Sequence, residues 1–345
     1  MKKVKIYGAG SIGNHLSRAF RTINYEVFIC DTDKEALVRM KNEIYPSRYG
    51  DWDNKINLYL LNEIPKIEYD FVVIGTPPDS HTNLALESIS DGNKNILIEK
   101  PLSFFGDSKI EILKTKIEET QSQVFVGYNH VVSKSIQYLG KLIEDNKLGD
   151  VITIDVEFRE NWDGIFKAHP WLDGPHESYL GFIKKGGGAL SEHSHALNLW
   201  QHLALKSKFG QIKEVSPIFK FNRNNGLDYD EIAMISLKTD QNNIGRVIQD
   251  VITTPHKKTA RIICEDGTIE WVCNFNKNSD RIIINKKTGE QELIDFKKTR
   301  EQDFLEEVKY INKCIEGNNR TNDISFEKGY MTMKLIDKCF MSEFG

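Results

Sequence analysis

Residues 4–31, VKIYGAGSIGNHLSRAFRTINYEVFICD, decide the fold of the amino-terminal half. Val4 to Tyr7 is a short apolar run, and the turn Gly8-Ala9-Gly10-Ser11-Ile12-Gly13 leads from it into apolar side chains that recur at helical spacing. Glu26 to Cys30 is a second apolar run. This order predicts a strand, a tight glycine turn, a helix and a second strand parallel to the first.

The alternation of apolar runs with helical periodicity continues to about residue 128. Phe71 to Gly75, Asn95 to Ile98 and Val124 to Gly127 have the pattern of further strands. Strands rich in Val and Ile that alternate with helices are typical of a parallel sheet that is buried on both faces. We therefore predict an α/β protein whose residues 1–128 form a doubly wound, Rossmann-type parallel sheet.

The pattern changes after about residue 150. Ile152, Ile154, Val156 and Phe158 alternate with polar residues, which predicts a strand with one solvated face. Asp266-Gly267 and the stretch from Lys287 to Glu290 are hairpin signals. Residues 129–345 are thus expected to form an α+β domain for substrate binding and oligomerisation, with a large, mainly antiparallel sheet. Two helices are expected within about 300–345, and packing against the first domain is one option for them.

Composition excludes several classes of partner. The 345 residues include 46 basic and 50 acidic side chains, a formal charge of −4, so the basic field that nucleic acids or anionic membranes require is absent. No apolar run approaches the roughly 18 to 20 residues of a membrane span. The amino-terminal apolar run also ends at Gly8, before it reaches the length of a signal peptide. We predict a cytoplasmic protein without nucleic-acid or membrane partners.

The metal-binding residue types do not form a recognisable site. The five cysteines are odd in number and include no CxxC pair, which predicts reduced, partly buried thiols. Glu192, His193, His195 and His202 cluster in the sequence, but they lack a strong ligand pattern such as HExxH. No catalytic metal is predicted.

The glycine turn has the form GxGxxG in the strand-to-helix context that binds the pyrophosphate of a dinucleotide. The first glycine makes the turn, the second allows the backbone to approach the phosphates, and the third allows the helix to pack on the strand. Asp31 ends the next strand, where its carboxylate can bind both ribose hydroxyls. The predicted cofactor-binding residues here are Gly8, Gly10, Ser11, Ile12, Gly13, Asp31 and Thr32. Because Asp31 would repel a 2′-phosphate, NAD is favoured over NADP.

Four further motifs follow in order along the chain: Gly75-Thr76-Pro77-Pro78-Asp79-Ser80-His81, Ile98-Glu99-Lys100-Pro101, Val126-Gly127-Tyr128-Asn129 and Gly186-Gly187-Gly188-Ala189-Leu190. Together with the glycine turn they resemble the Gfo/Idh/MocA family of NAD(P)-dependent sugar oxidoreductases over most of the chain. The resemblance implies that Lys100 lies near the nicotinamide and the substrate hydroxyl, and that Pro101 often follows a cis bond. It adds Thr76, Pro77, His81, Glu99, Lys100 and Asn129 to the cofactor contacts. The structural alternative for Lys100 is an exposed surface lysine. The structural alternative for His81 is a helix-cap or packing histidine.

The acid–base centre departs from the family pattern, which places an aspartate and a histidine as D-x-x-x-H after the glycine triplet. Glu192 stands at the aspartate position and Ala196 at the histidine position, and His195 lies one residue early. On one continuous helix Glu192 and His195 would share a face, and His193 would point away. We predict that His195 is the general base and that Glu192 orients it or binds substrate.

The same stretch is similar to a family subgroup associated with bacterial surface-sugar biosynthesis. His169-Pro170-Trp171 and Ser194-His195 match that subgroup, whereas Asn198 replaces an acid. Two alternatives remain open: His195 has only a packing or substrate-binding role, or another residue such as His193 is the base. Lys100, Asn129, Trp171, Glu192 and His195 are the expected substrate contacts. Trp162, Trp171 and Tyr179 form either a sugar-stacking wall or core and interface packing.

We therefore predict an NAD-dependent oxidoreductase that acts on the CH–OH group of a sugar. The candidate substrates include a nucleotide-activated sugar of surface-glycan biosynthesis. Two alternatives stay open: a redox-neutral, NAD-retaining epimerase or lyase, and a non-catalytic NAD-binding protein. A homo-oligomer, dimer or tetramer, is expected because one face of the second sheet needs to be covered.

Overall fold

The computed structural model describes residues 1–168 and 171–344, and these divide into two compact units. The first unit consists of residues 1–103, 107–129 and 300–327, and the second of residues 104–106, 130–299 and 328–345. Each unit is built around its own sheet.

The chain forms fourteen strands within the described residues. They are β1 (Lys3–Tyr7), β2 (Glu26–Asp31), β3 (Ile56–Leu60), β4 (Phe71–Ile74), β5 (Asn95–Ile98), β6 (Gln123–Val126), β7 (Val151–Arg159), β8 (Ile212–Asn222), β9 (Tyr229–Thr239), β10 (Ile244–Asp250), β11 (Lys257–Cys264), β12 (Gly267–Asn276), β13 (Ser279–Lys286) and β14 (Gln291–Lys297).

The α-helices are α1 (Ser11–Thr22), α2 (Lys34–Arg39), α3 (Tyr45–Tyr49), α4 (His81–Ser90), α5 (Lys109–Thr120), α6 (Lys134–Glu144), α7 (Asp163–Ala168), α8 (Ala189–Glu192), α9 (His195–Lys206), α10 (Arg300–Glu316) and α11 (Phe326–Phe344). A π-helical turn, Met40–Ile44, joins α2 to α3. Several short 3₁₀ turns connect the remaining elements.

The first unit contains a parallel six-stranded sheet in the order β3-β2-β1-β4-β5-β6. β4 is fully buried and β5 is buried except for Asn95, as the Val- and Ile-rich runs predicted. On α1, Leu16, Ala19 and Phe20 are buried because their helical spacing places them on one face. The doubly wound prediction is confirmed. The sequence reading missed β3, whose residues are mostly only half-buried.

The second unit contains an eight-stranded sheet in the order β14-β13-β12-β11-β7-β10-β9-β8. All neighbours are antiparallel except β7 and β10, which run parallel. Both predicted hairpins are present, as β11–β12 and β13–β14. Ile154, Val156 and Phe158 are buried as expected, but Ile152 near the start of β7 is 54% exposed. The expectation for Ile152 was wrong because alternation does not show where the covering layer ends.

All five cysteines are buried free thiols. Burial raises the pKa of the Cys30 thiol to about 12, so this group stays protonated and unreactive at neutral pH. Of the helices in the described part of the chain, none is both long enough and apolar enough to cross a membrane.

Candidate functional site

The motifs of the first unit meet at one edge of its sheet. Because the strands are parallel, their carboxyl ends lie together, and the segments that follow them are neighbours at that edge. These segments are Gly8–Gly13 after β1, Asp31 at the end of β2, Gly75–His81 after β4, Glu99–Pro101 after β5 and Gly127–Asn129 after β6.

The three glycines of the turn meet different surroundings. Gly8 has a φ of +100°, and a Cβ there would lie 2.8 Å from the Gly75 carbonyl oxygen. A Cβ on Gly13 would lie 2.0 Å from the Gly8 carbonyl oxygen, so α1 packs directly on the turn. By contrast, a Cβ on Gly10 would meet nothing within 4 Å. Gly8 and Gly13 are therefore required by the fold, whereas Gly10 leaves open space at the start of α1.

Asp31 is held by the backbone around it. One carboxylate oxygen accepts the Ala9 N–H at 2.8 Å, and the other accepts the Asp33 N–H at 2.9 Å. Each oxygen retains a second lone pair for a hydroxyl donor. Thr32 beside it is exposed. The carboxylate is thus fixed at the end of β2 in an orientation set before any ligand binds.

These residues fit a dinucleotide. Gly10 precedes α1 and makes no side-chain cap, and no acidic residue lies in the first turn, so the helix start offers N–H groups and positive potential to an anion. The open space at Gly10 is where a phosphate would approach the backbone. Asp31 supplies the acceptor for ribose hydroxyls at the end of the adjacent strand.

His81 is buried and lies between two loops of the site. Its Nε2 lies 2.7 Å from the Thr76 carbonyl oxygen and its Nδ1 lies 3.0 Å from the Pro101 carbonyl oxygen. Burial, partly offset by these carbonyls, lowers the pKa of the ring. Thr76 is half-buried and Pro77 is exposed, so these two residues are accessible at this edge where His81 is not. His81 therefore connects the Thr76 and Lys100 segments through the backbone.

Lys100 is half-buried and follows β5 directly, and its bond to Pro101 is cis. Glu99 is only 6% exposed, and its carboxylate lies against the backbone of Gly127. A Cβ on Gly127 would come within 2.9 Å of the Glu99 carboxylate. Asn129, also half-buried, begins a 3₁₀ turn two residues later. Glu99 thus fills the space between the Lys100 and Asn129 segments.

In the second unit the glycine triplet forms a tight bend in front of α8. Gly188 has a φ of +86°, and a Cβ there would lie 1.9 Å from a carboxylate oxygen of Asp230. The other Asp230 oxygen accepts the Leu190 N–H at 2.8 Å. Asp230 is fully buried, and burial raises the pKa of its carboxyl to about 8. Gly188 therefore allows the backbone to pack closely against Asp230, and Gly187 allows it to pack against the Tyr179 and Leu180 carbonyls.

The expected single helix through Glu192 and His195 is absent, which corrects the face argument made from the sequence. α8 ends at Glu192 and α9 begins at His195, with His193 and Ser194 between them. Glu192 accepts a hydrogen bond from the Tyr179 hydroxyl at 3.1 Å. Ala196, at the family's histidine position, is fully buried, whereas His195 is half-buried. Asn198 is buried and donates to the Thr332 hydroxyl at 3.0 Å, which makes it a packing residue.

His195 packs against an aromatic cluster that the sequence reading missed. The His130 ring lies 4.6 Å from the His195 ring at 86°, and it is also 5.3 Å from Phe158. Trp271 lies 6.0 Å from His130 and donates its indole N–H to the Ser135 hydroxyl at 3.0 Å. His130 follows the Asn129 motif directly, and that position was the available signal. His195 thus contacts this cluster through the His130 ring.

His193 is buried and belongs to a different group of charges. Lys258 lies 2.6 Å from Glu160. Burial opposes ionisation of Glu160, but the charges of Lys258, His193 and His256 lower the pKa of its carboxyl to about 2. His193 thus interacts electrostatically with the Glu160 carboxylate, whereas His195 packs against the His130 ring.

The three candidate aromatic residues separate in the structure. Trp162 is 5% exposed and packs 5.0 Å from Tyr229, which identifies it as a core residue. Trp171 is 36% exposed, and Tyr179 is half-buried and bonded to Glu192. His169 and Pro170 of the H-P-W motif lie outside the described residues.

Neither a metal cluster nor a cavity of the described chain adds a residue to this candidate site. Within residues 1–168 and 171–344, no group of three or more His, Cys, Asp or Glu side chains is arranged to hold a metal ion. A cavity of about 200 Å³ is lined by residues including Lys114, Gln123 and Arg320. It lies at the amino end of β6, whereas ligands of such sheets bind at the carboxyl end.

A GxGxxG turn and a fixed carboxylate at the carboxyl edge of a parallel sheet, in a chain that also carries a mainly antiparallel sheet, are typical of nicotinamide-dependent oxidoreductases. The chain belongs to the Gfo/Idh/MocA oxidoreductase family. The family's NAD-binding Rossmann domain matches residues 2–128, and its C-terminal α/β domain matches residues 140–344. The predictions of family, fold and cofactor class are confirmed.

Individual relatives are distant. Glucose-6-phosphate 3-dehydrogenase of Bacillus subtilis (strain 168) is 25% identical over 194 residues, which cover 56% of this chain and 50% of that protein. The chain therefore spans about half the length of the curated relatives it matches.

Solved structures share the fold over nearly the whole chain. Levoglucosan dehydrogenase in complex with NADH has a TM-score of 0.79 at 15% identity and covers 99% of this chain and 96% of its own. The WlbA dehydrogenase of Bordetella pertussis, in complex with NADH and UDP-GlcNAcA, has a TM-score of 0.71 at 18% identity, with the same coverage of both chains.

Proposed function

We propose that this protein is an NAD-dependent dehydrogenase that interconverts a secondary alcohol of a sugar and the corresponding ketone. Family membership supports the cofactor and reaction class. The distant relatives support a sugar as the substrate, because their names include sugar dehydrogenases. The observation that carries the proposal is the open space at Gly10, beside the fixed carboxylate of Asp31 and at the same sheet edge as Lys100.

Two side chains are the candidates for the chemistry at the reacting hydroxyl, Lys100 of the first unit and His195 of the second. When bound, the nicotinamide accepts or returns the hydride at the carbon that bears the hydroxyl. Lys100 polarises the reacting oxygen with its ammonium group, and His195 takes the hydroxyl proton during oxidation. In the reverse direction the imidazolium returns that proton to the ketone oxygen. Glu192, bonded to Tyr179, binds a substrate hydroxyl.

A nucleotide-activated sugar is the finer substrate assignment that we propose. It is supported by the nucleotide sugar in the complex of the WlbA dehydrogenase and by the Ser194-His195 match to the surface-sugar subgroup. Trp171, the exposed tryptophan among the three candidates, offers a face to the apolar side of a sugar ring.

A panel of free sugars, sugar phosphates and nucleotide sugars, each with NAD and with NADP, tests this function through the absorbance of the reduced cofactor. We expect one sugar class to reduce NAD with a larger kcat/KM than NADP. Product formation without accumulation of NADH, with NAD retained through purification, would instead indicate the redox-neutral reaction. NAD binding without turnover of any sugar would contradict the proposed activity.

A further inference from the structure

An arginine outside every motif reaches the start of α1. Arg48 on α3 donates from Nη1 to the Ser11 carbonyl oxygen at 3.2 Å and from Nη2 to the Ser11 hydroxyl at 3.0 Å. Ser11 is the first residue of α1 and the one that follows the open position at Gly10. The guanidinium, with donors in a planar fork, therefore lies beside the residues assigned to the cofactor's phosphates.

Among the described residues, no carboxylate is one of the groups that shift the pKa of Arg48. Burial and the charge of Arg300 lower the pKa of Arg48, and only the Tyr49 hydroxyl acts in the other direction. His15 on the next turn of α1 adds no negative charge. Burial, Arg300 and Arg48 lower the pKa of this histidine to about 3, which keeps it neutral.

Nearby carboxylates are engaged elsewhere. Glu301 pairs with Arg18 at 2.9 Å, and Asp53 pairs with Arg21 at 2.7 Å. α1 itself carries no acid in its first turn. Among the residues that the structure describes, no carboxylate pairs with Arg48, so the start of α1 combines the positive end of a helix dipole with an uncompensated guanidinium.

We propose that Arg48 is a cofactor-positioning residue that binds the pyrophosphate of the dinucleotide over the Gly10–Ser11 turn. The inference rests on the proposed function and adds a residue to its cofactor site. A pyrophosphate carries two negative charges, and the Arg48 guanidinium and the positive start of α1 both attract it. Ser11 holds the guanidinium in place before the ligand arrives, which lowers the entropic cost of binding.

Two other roles for Arg48 make different predictions. If Arg48 recognises a 2′-phosphate, its loss weakens the binding of NADP and leaves NAD unchanged. If it serves only to tether α3 to α1, its loss lowers stability and weakens every ligand alike, including adenosine.

The test is calorimetric titration of the wild-type chain and of Arg48→Ala with NAD, ADP-ribose, NADP and adenosine, at constant ionic strength. We expect Arg48→Ala to weaken NAD and ADP-ribose by about ten- to hundredfold and adenosine by less than about twofold. Arg48→Lys keeps the charge but loses the fork, so we expect an intermediate loss. Arg18→Ala is the matched control, because that arginine lies on α1 but pairs with Glu301, and we expect it to leave all affinities unchanged.

Each result decides a separate question. Equal losses for adenosine and ADP-ribose, a loss confined to NADP, or an Arg48→Ala affinity for ADP-ribose within twofold of wild type would overturn the role of Arg48. If Arg48→Ala does not fold, Arg48→Lys decides by the same comparison. Failure of the wild-type chain to bind NAD or ADP-ribose would instead remove the proposed function itself.

Discussion

At the scale of single residues, Gly10 and Gly13 separate binding from folding. We expect Gly13→Ala to lower Tm strongly, because its Cβ would lie 2.0 Å from the Gly8 carbonyl oxygen. Gly10→Ala meets no protein atom within 4 Å, so we expect Tm to change little while NAD affinity falls at least about tenfold. Thermal unfolding and NAD titration of both variants check this pair. A Gly10→Ala chain that binds NAD like the wild type would show that the open space is not the cofactor's.

Asp230 gives the second unit a pH-dependent stability. Its pKa is raised from 3.8 to about 8, so the folded chain holds a proton that the unfolded chain releases. Stability from this group is therefore greatest below about pH 4 and declines as pH rises towards about 8. Asp230→Asn cannot ionise and keeps an acceptor for the Leu190 N–H. We expect the Tm of Asp230→Asn minus that of wild type to increase by a few degrees over this interval, and a constant difference would contradict the shift.

His195 and His193 are distinguished by kinetics. We expect His195→Ala to lower kcat at least about a hundredfold, because loss of a general base removes its contribution to proton transfer. His193→Ala, which alters the Glu160 and Lys258 group, is the matched control, and we expect its kcat to stay within about threefold of wild type. Both are measured with the sugar that the substrate panel identifies. The assignment of the base is wrong if the two effects are reversed.

At the scale of elements, strands and hairpins with a regular sequence pattern could be predicted, whereas an interruption within a helical segment could not. The parallel strands and both hairpins could be predicted because burial on two faces, alternation and turn residues each leave a sequence pattern. The break between α8 and α9 could not, since neither His193 nor Ser194 is a helix breaker. Asp230 and Gln249 bind the backbone of Ala189 and Leu190 at the start of α8 from distant strands, and no local pattern shows such contacts.

α10 carries a buried carboxyl, Glu307, whose two oxygens have no hydrogen-bond partner among the described residues. Burial and the charge of Glu99 raise its pKa, while Arg300 opposes and Asp303 adds to the shift. A carboxyl with a raised pKa destabilises the fold progressively as pH increases above its ordinary value. We expect Glu307→Gln to be more stable than wild type by a margin that grows with pH.

Denaturant unfolding at several pH values measures this margin. Glu306→Gln is the control, because that side chain lies on the same helix, is 36% exposed and pairs with Lys309. We expect its margin to stay flat. A flat margin for Glu307→Gln as well would mean that Glu307 is ionised in the folded chain.

At the scale of the whole molecule, the ordered motifs predicted the family and the fold. They did not predict the contacts that residues outside the motifs make with the residues of the candidate site. Gly8, Asp31 and Lys100 follow strand ends, so topology alone predicts that their segments share an edge. His130 and Arg48 reach their neighbours through tertiary packing that no local pattern encodes. The contacts of the buried His81 ring with the Thr76 and Pro101 carbonyls likewise depend on tertiary packing.

The predicted oligomer has a candidate surface on the open face of the second sheet. Ile218 is 65% exposed and lies opposite Met234, which is 41% exposed and opposite Ile248. The adjacent row alternates Arg246, Asp155, Arg261 and Glu270, a mixture of charges that a second copy related by a two-fold axis can complement. We therefore expect the chain to self-associate through this face.

Light scattering tests the association. We expect wild type to exceed the 39.7 kDa of one chain and Met234→Glu to approach that mass. Ile112→Glu on α5, at an apolar residue of the first unit that is 58% exposed, is the control and is expected to match wild type. A wild-type chain of monomeric mass would remove the proposed interface.

The most direct measurement is a crystal structure of the chain grown with NAD. We expect density for the pyrophosphate over Gly10 and Ser11, for the adenosine ribose on Asp31, and for the nicotinamide beside Lys100. Density elsewhere on the chain, with the space at Gly10 filled by protein or solvent, would contradict the dinucleotide site and the dehydrogenase function that depends on it.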